Sequence, residues 1–256
     1  MILRRASVSL AALALLSCIA LAAIADDAPL PWSDARQLVL VEIPDWNSLH
    51  GELRTFERSD RGWRAIAPAQ PVVIGRAGAA WGTGLHAAQP GPVKKEGDGR
   101  SPAGVFAIGS AFGYAPKETT ALPYLALGPD DWCIDVTGSP LYNRIVDARA
   151  VGKEAVEGSS EPMRRDLHAN GDNAYAVGFV IEHNANGAPG AGSCIFAHVW
   201  KSADSGTAGC TAMPIDAMRR LLRWLRPDAH PAFVLLPQAE YRRLRKAWNL
   251  PDEAAR

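Results

Sequence analysis

The stretch "GSCIFAHVWKSADSGTAGCTAMPIDAMRRLLRWLRP", residues 192–227, carries a strand, a polar loop and a helix in that order. Its first part, "GSCIFAHVW", is apolar and rich in β-branched and aromatic residues, which predicts a core strand. Its last part places Ile215, Met218, Leu221, Leu222 and Leu225 at helical spacing on one face. Pro214 suits a first helical turn, and Pro227 follows the end. Between them "KSADSGTAGC" is polar and hinged on glycine, with Cys210 twelve residues after His198. Either Cys210 is a nucleophile and His198 its base, or this is a buried turn with a small apolar filler.

Outward from this stretch the chain reads as mostly β. "RQLVLVEIPDW" is a buried strand through Leu38, Val39, Leu40, Val41 and Ile43. "GELRTFERSDRGWRAI" alternates and turns at Ser59-Asp60-Arg61-Gly62, the pattern of a hairpin. "PVVIGRAG", "GVFAIGSAFGY", "DWCIDVTGSP", "YAVGFVIEHN" and "HPAFVLLP" are further strands. Residues 82–104, rich in Gly, Pro and Lys, predict a long loop. Residues 147–173 predict an irregular crossing, and "AEYRRLRKAW" a short basic amphipathic helix. No internal repeat or linker divides the chain, so one mostly-β domain with one strong helix is expected.

The N-terminus reads differently. Arg4 and Arg5 precede an apolar run from Val8 to Ala25, which closes on Ala23-Ile24-Ala25. That is the pattern of a secretory signal peptide over residues 1–25. A membrane anchor, or a lipoprotein through Leu16-Ser17-Cys18, is the alternative. With the signal removed, no other run is long and apolar enough to span a bilayer, so no transmembrane anchor is expected in the mature protein. The full sequence balances 27 basic against 27 acidic residues. Near-neutral charge gives no support for a nucleic-acid partner. Export places the remaining Cys133, Cys194 and Cys210 where thiols tend to pair. Three is odd, so at least one is free or pairs between chains.

A cysteine attacks as the thiolate, which a neighbouring imidazole favours. Gly209 would let a substrate carbonyl approach, and the N–H groups of Gly209 and Cys210 would face a developing oxyanion. The scattered histidines form no zinc pattern, so no metal is expected. His183, at a strand end in "VIEHN", either lines the same cleft or is hydrogen-bonded structure. Trp200 shares the strand face of His198 and would pack on substrate or fill the core. Arg164 and Arg165 are either an exposed basic pair or contacts for carboxylates.

"IFAHVW…SGTAGCTAM" resembles the active-site signature of the L,D-transpeptidase (YkuD-like) catalytic domain family, in which a His is followed by Ser/Thr-x-Gly-Cys. "GDGRSPAGVFAIG" resembles that family's Thr-Pro-x-Gly-x-Phe strand, with Ser101 in place of threonine. "SPLYNRIVD" and "VIEHN" are similar to its small exported branch. The resemblance covers about residues 36–237, leaving 238–256 as a C-terminal tail. It implies a single β-sandwich-like catalytic domain, with a prominent α-helix after the nucleophile loop. Cys210 would be the nucleophile, His198 its base, Gly209 the oxyanion-side glycine and Thr207 the hydroxyl that braces the loop. Tyr142 and Asn143 lie in a resembling segment and would contact substrate with His183 and Trp200. The implied activity is acyl transfer on peptidoglycan stem peptides through a Cys210 thioester. It would take place in the periplasm or otherwise outside the cell membrane, at the cell wall, with no cofactor.

The alternatives are an L,D-carboxypeptidase or wall-peptide hydrolase of the same fold, and a non-catalytic peptidoglycan-binding module. This chemistry requires a free Cys210, which leaves Cys133 and Cys194 as the expected disulfide. It also predicts that His198 pulls the thiol below a free cysteine's value of about 8.5. The chain departs from the family at Ala208, where a histidine is common, and at Ala212, where Asn or Arg is common. Both changes bear on the acceptor rather than on thiol attack.

Overall fold

The computed structural model describes residues 29–252; the signal peptide expected at 1–25 lies outside the described residues. Fourteen strands appear among them. In chain order they are β1 (Gln37–Ile43), β2 (His50–Ser59), β3 (Gly62–Ala65), β4 (Gln70–Val73), β5 (Ala79–Trp81), β6 (Ser101–Gly113) and β7 (Tyr124–Ala126). There follow β8 (Asp131–Cys133), β9 (Ile145–Asp147), β10 (Glu161–Pro162), β11 (Val177–Ile181), β12 (Phe196–Val199), β13 (Thr211–Met213) and β14 (Ala232–Pro237). Four α-helices join them: α1 (Ala148–Val151), α2 (Arg165–His168), α3 (Ile215–Trp224) and α4 (Gln238–Leu244).

The main sheet closes on itself. Its order is β1-β14-β6-β11-β12-β13-β4-β2, and β2 pairs back onto β1, so eight strands form a barrel. The mostly-β expectation holds, while the sandwich-like arrangement is replaced by a closed barrel. The reason lies in β1, whose register runs Leu38 against Ala232 on one side and against Phe56 on the other. Inward–outward alternation looks the same in a sandwich and a barrel. Only the second pairing of β1 removes the edge.

β1 reads as an unbroken apolar run because both of its faces are covered: Leu38, Val39, Leu40 and Val41 are all buried. β2 and β3 form the expected hairpin, with Ser59 opposite Gly62. The Ser59 hydroxyl accepts the Arg61 N–H at 3.2 Å within the turn. β6 begins at Ser101, inside the stretch read as loop. Helix α3 buries Ala217, Met218, Leu221 and Leu222 on the face its spacing predicts. The C-terminal segment docks as well: Tyr241, Leu244, Trp248 and Leu250 join the main core. Trp32 seals it by donating its indole N–H to the Trp248 carbonyl at 3.0 Å.

A smaller sheet, β10-β8-β9, stands beside the barrel. The Cys133–Cys194 disulfide fastens it there, with Cα atoms 5.9 Å apart, and Cys210 is left as a free thiol. Among the described residues no helix is long and apolar enough to cross a membrane.

Candidate active site

Strands β12 and β13 are parallel neighbours in the barrel, with Ala197, His198 and Val199 opposite Thr211, Ala212 and Met213. Parallel pairing obliges the chain to return to the starting end of the strand, and residues 200–210 make that return. Cys210 lies two residues before Ala212, the register partner of His198, so both side chains project from one face of the sheet. Both line a cleft of about 740 Å³ between the barrel and the small sheet.

The turn before Cys210 is tied down by two hydroxyls. Thr207 donates from Oγ1 to the Cys210 carbonyl at 2.7 Å and accepts the Gly209 N–H at 3.1 Å. Ser101 donates to the Gly209 and Cys210 carbonyls at 2.7 and 3.1 Å, and accepts the Gly75 N–H at 2.9 Å. Both Thr207 bonds stay within residues 207–210. Gly209 differs from expectation in two respects. Its N–H is engaged by Thr207, and a Cβ there would lie 3.1 Å from the Arg100 carbonyl and 3.2 Å from Ile195 Cδ1. Close packing of the turn accounts for the glycine.

His198 is 7% exposed and donates Nδ1–H to the Val199 carbonyl at 2.8 Å. A carbonyl accepts only, so this bond places the proton on Nδ1 and leaves the Nε2 lone pair free to receive one. Burial lowers the imidazole pKa to about 4, so the ring is neutral at ordinary pH. Cys210, also 7% exposed, accepts the Phe196 N–H at 3.3 Å and turns its S–H toward the Cys194 carbonyl at 3.5 Å. Burial, then the nearby Glu161 carboxylate, pushes the thiol up to about 12. This reverses the expected lowering of its pKa. Removing the sulfur from water disfavours the thiolate, and a neutral His198 supplies no opposing charge. No hydrogen bond joins the two side chains at rest.

Trp200 and Thr207 line the cleft. Tyr142, Asn143 and His183 do not; they brace the loop behind it. The Tyr142 hydroxyl donates to Glu96 and accepts the Gly192 N–H at 3.2 Å. Asn143, in the left-handed region at φ 64°, donates to the His183 and Asn184 carbonyls and accepts the Cys194 N–H at 2.8 Å. His183 accepts the Thr83 N–H at Nδ1 (3.2 Å) and donates Nε2–H to the Ala191 carbonyl (2.9 Å).

Neither basic residue of the 164–165 pair is free. Arg164 pairs with Asp166, and Arg165 with Glu161 and Asp172. Two cleft residues, Glu161 and Asp172, carry no local sequence signal, sitting in a two-residue strand and an irregular segment; Tyr175 stands in a stretch read as strand, just before β11, and was not singled out. Among the described residues no group of three or more His, Cys, Asp or Glu side chains is arranged to hold a metal ion.

The fold and site define a mostly-β barrel protein with one free thiol and one neutral imidazole in a polar cleft. No protein-family model matches the chain, and no curated protein does. The solved structure of Bdellovibrio bacteriovorus Bd1075 is similar at 13% identity and a TM-score of 0.39, over 84% of this chain and 54% of that one. This chain therefore spans about half the length of that one.

Proposed function

We propose that this protein is an exported cysteine acyltransferase of the L,D-transpeptidase type, acting on peptidoglycan stem peptides at the cell wall. The observation that carries the reading is the free Cys210 on the same sheet face as His198, whose imidazole is neutral and presents an unprotonated Nε2. Substrate entering the cleft brings its third-residue carbonyl to Sγ. As the S–C bond forms, the thiol proton passes to Nε2, and then to the nitrogen of the departing D-amino acid. The C–N bond breaks and a thioester remains. Because both groups are neutral at rest, proton transfer accompanies attack rather than preceding it. An amine of a neighbouring stem, or water, then opens the thioester and restores the thiol.

Two specific observations favour other outcomes. Ala208 and Ala212 line the cleft beside Cys210 and offer nothing to orient an amine, which favours water and hence carboxypeptidase activity. The burial and high pKa of the thiol favour a non-catalytic peptidoglycan-binding module. Intact-mass analysis after incubation with tetrapeptide stems separates the three. The proposal expects an acyl adduct that is absent in Cys210→Ala, with a released D-amino acid. Cross-linked dimer marks transfer and tripeptide marks hydrolysis. Binding without adduct or product would leave only the module.

A further inference from the structure

Glu161 opens from β10, where it pairs in register with Cys133 of the disulfide, and its carboxylate lines the cleft. Its Oε1 accepts the Tyr175 hydroxyl at 2.7 Å and Arg165 Nη1 at 3.1 Å. Arg165 is clamped in turn by Asp172 Oδ2, at 2.9 Å from Nε and 2.8 Å from Nη2. Tyr175 is buried, and its ring stands edge-on to His198 at 5.2 Å and 74°. The same ring meets Phe196 at 5.4 Å and shares one apolar cluster with Cys210 and both disulfide cysteines. Its hydroxyl proton is given to Glu161, so it has none to offer at the thiol.

We infer that Tyr175 and Glu161 are positioning residues for the His198–Cys210 site, Glu161 fixing the ring and the ring walling both reacting side chains. The inference rests on the acyl-transfer reading for what the two side chains do, though not for where they stand. The wall holds the imidazole so that its Nδ1–H stays on the Val199 carbonyl and Nε2 stays open to the cleft. The Glu161 charge meanwhile opposes thiolate formation while the cleft is empty. After burial, Glu161 raises the Cys210 pKa while Lys94 and Arg165 lower it, and the Tyr175 hydroxyl interacts with the same sulfur; Arg165 and Asp172 act on His198. Glu161 is therefore the carboxylate whose removal should be felt at the sulfur.

The test uses the mature protein with its disulfide intact, as wild type, Glu161→Gln and Tyr175→Phe. Glutamine keeps the acceptor and removes the charge, while phenylalanine keeps the ring and removes its tether. Iodoacetamide labelling of Cys210 across pH, and 15N shifts of the His198 ring, need no substrate. Glu161→Gln should move the labelling inflection down by about one pH unit. Tyr175→Phe should take His198 from a single Nδ1–H pattern to averaged ring shifts. With a tetrapeptide stem, Tyr175→Phe should lower kcat about tenfold at a nearly constant KM, while Glu161→Gln, which keeps the tether, should not. Wild-type inflection and wild-type ring shifts in the variants would overturn the inference, whatever happens to Tm. If Tyr175→Phe does not fold, the Glu161→Gln inflection decides alone. A wild type that turns over no stem peptide would sink the proposed function, while labelling and ring shifts still judge the positioning.

Discussion

At Cys210 two demands compete. The proposed attack needs the thiolate, yet the residue is buried, and its pKa is pushed up to about 12. Alkylation should therefore show its inflection above the free-cysteine value of about 8.5. Because His198 is neutral and makes no bond to Sγ, His198→Ala should leave that inflection in place. The same substitution should slow acyl-enzyme formation by about 10²–10⁴-fold, the usual worth of a general base. An inflection below 8.5 that moves in His198→Ala would instead mean a thiolate–imidazolium pair. Beside Cys210, Ala208 and Ala212 offer no group to orient the amine of the proposed transfer, and water needs less positioning than a second peptide. Under the proposed function, Ala208→His and Ala212→Asn, the residue types common in the family that the loop resembles, should raise dimer relative to trimmed tripeptide. An unchanged product ratio would show the two alanines to be neutral to the acceptor.

Between elements, one hydroxyl and one disulfide hold the site. Ser101, at the start of β6, reaches the Gly209 and Cys210 carbonyls and the Gly75 N–H, all in buried surroundings. Ser101→Ala strips partners from several groups at once, so a loss of about 1–3 kcal/mol is expected in urea unfolding. Ser101→Thr keeps the hydroxyl and should retain most of the turnover that Ser101→Ala loses. The disulfide closes a sequence separation of 61 residues. Chain entropy then puts its contribution at about 4 kcal/mol, measurable by comparing Cys133→Ala/Cys194→Ala with wild type. Of these supports, Ser101 stands in a stretch that the sequence marks, at the head of a strand. Glu161 and Tyr175 were not legible as site residues, because Glu161 lies in a segment with no periodic pattern and the contact of Tyr175 with it joins residues fourteen apart across the cleft.

Over the whole molecule, three histidines sit where protonation is disfavoured. Burial lowers His86, His183 and His198 each to about 4 from 6.5. Above pH 6.5 both folded and unfolded chains hold them neutral and nothing is lost. As pH falls from 6.5 toward 4, the unfolded chain takes up protons that the folded one refuses, and stability declines. Below about 4 the loss levels off. For His183 and His198 the shift corresponds to about 3 kcal/mol each. Denaturant midpoints at pH 7, 5.5 and 4.5 should therefore fall in that order. His183→Gln with His198→Gln should flatten the dependence; an unchanged slope would place the acid sensitivity elsewhere.

Strand character, the hairpin at Ser59–Gly62, the face of α3 and the pairing of His198 with Cys210 as candidates were all set by local pattern. Periodicity and turn chemistry act over a few residues, so a single chain displays them. Closure of the barrel depended on β1 finding both β2 and β14. The neutral state of the thiol and imidazole depended on how deeply both were buried. Tyr142, Asn143 and His183 went to loop bracing, because the neighbouring backbone groups they satisfy lie behind the cleft. Partner choice between distant strands, and the exclusion of water from a side chain, are properties of the packed molecule. They are decided only when every segment competes for the same space.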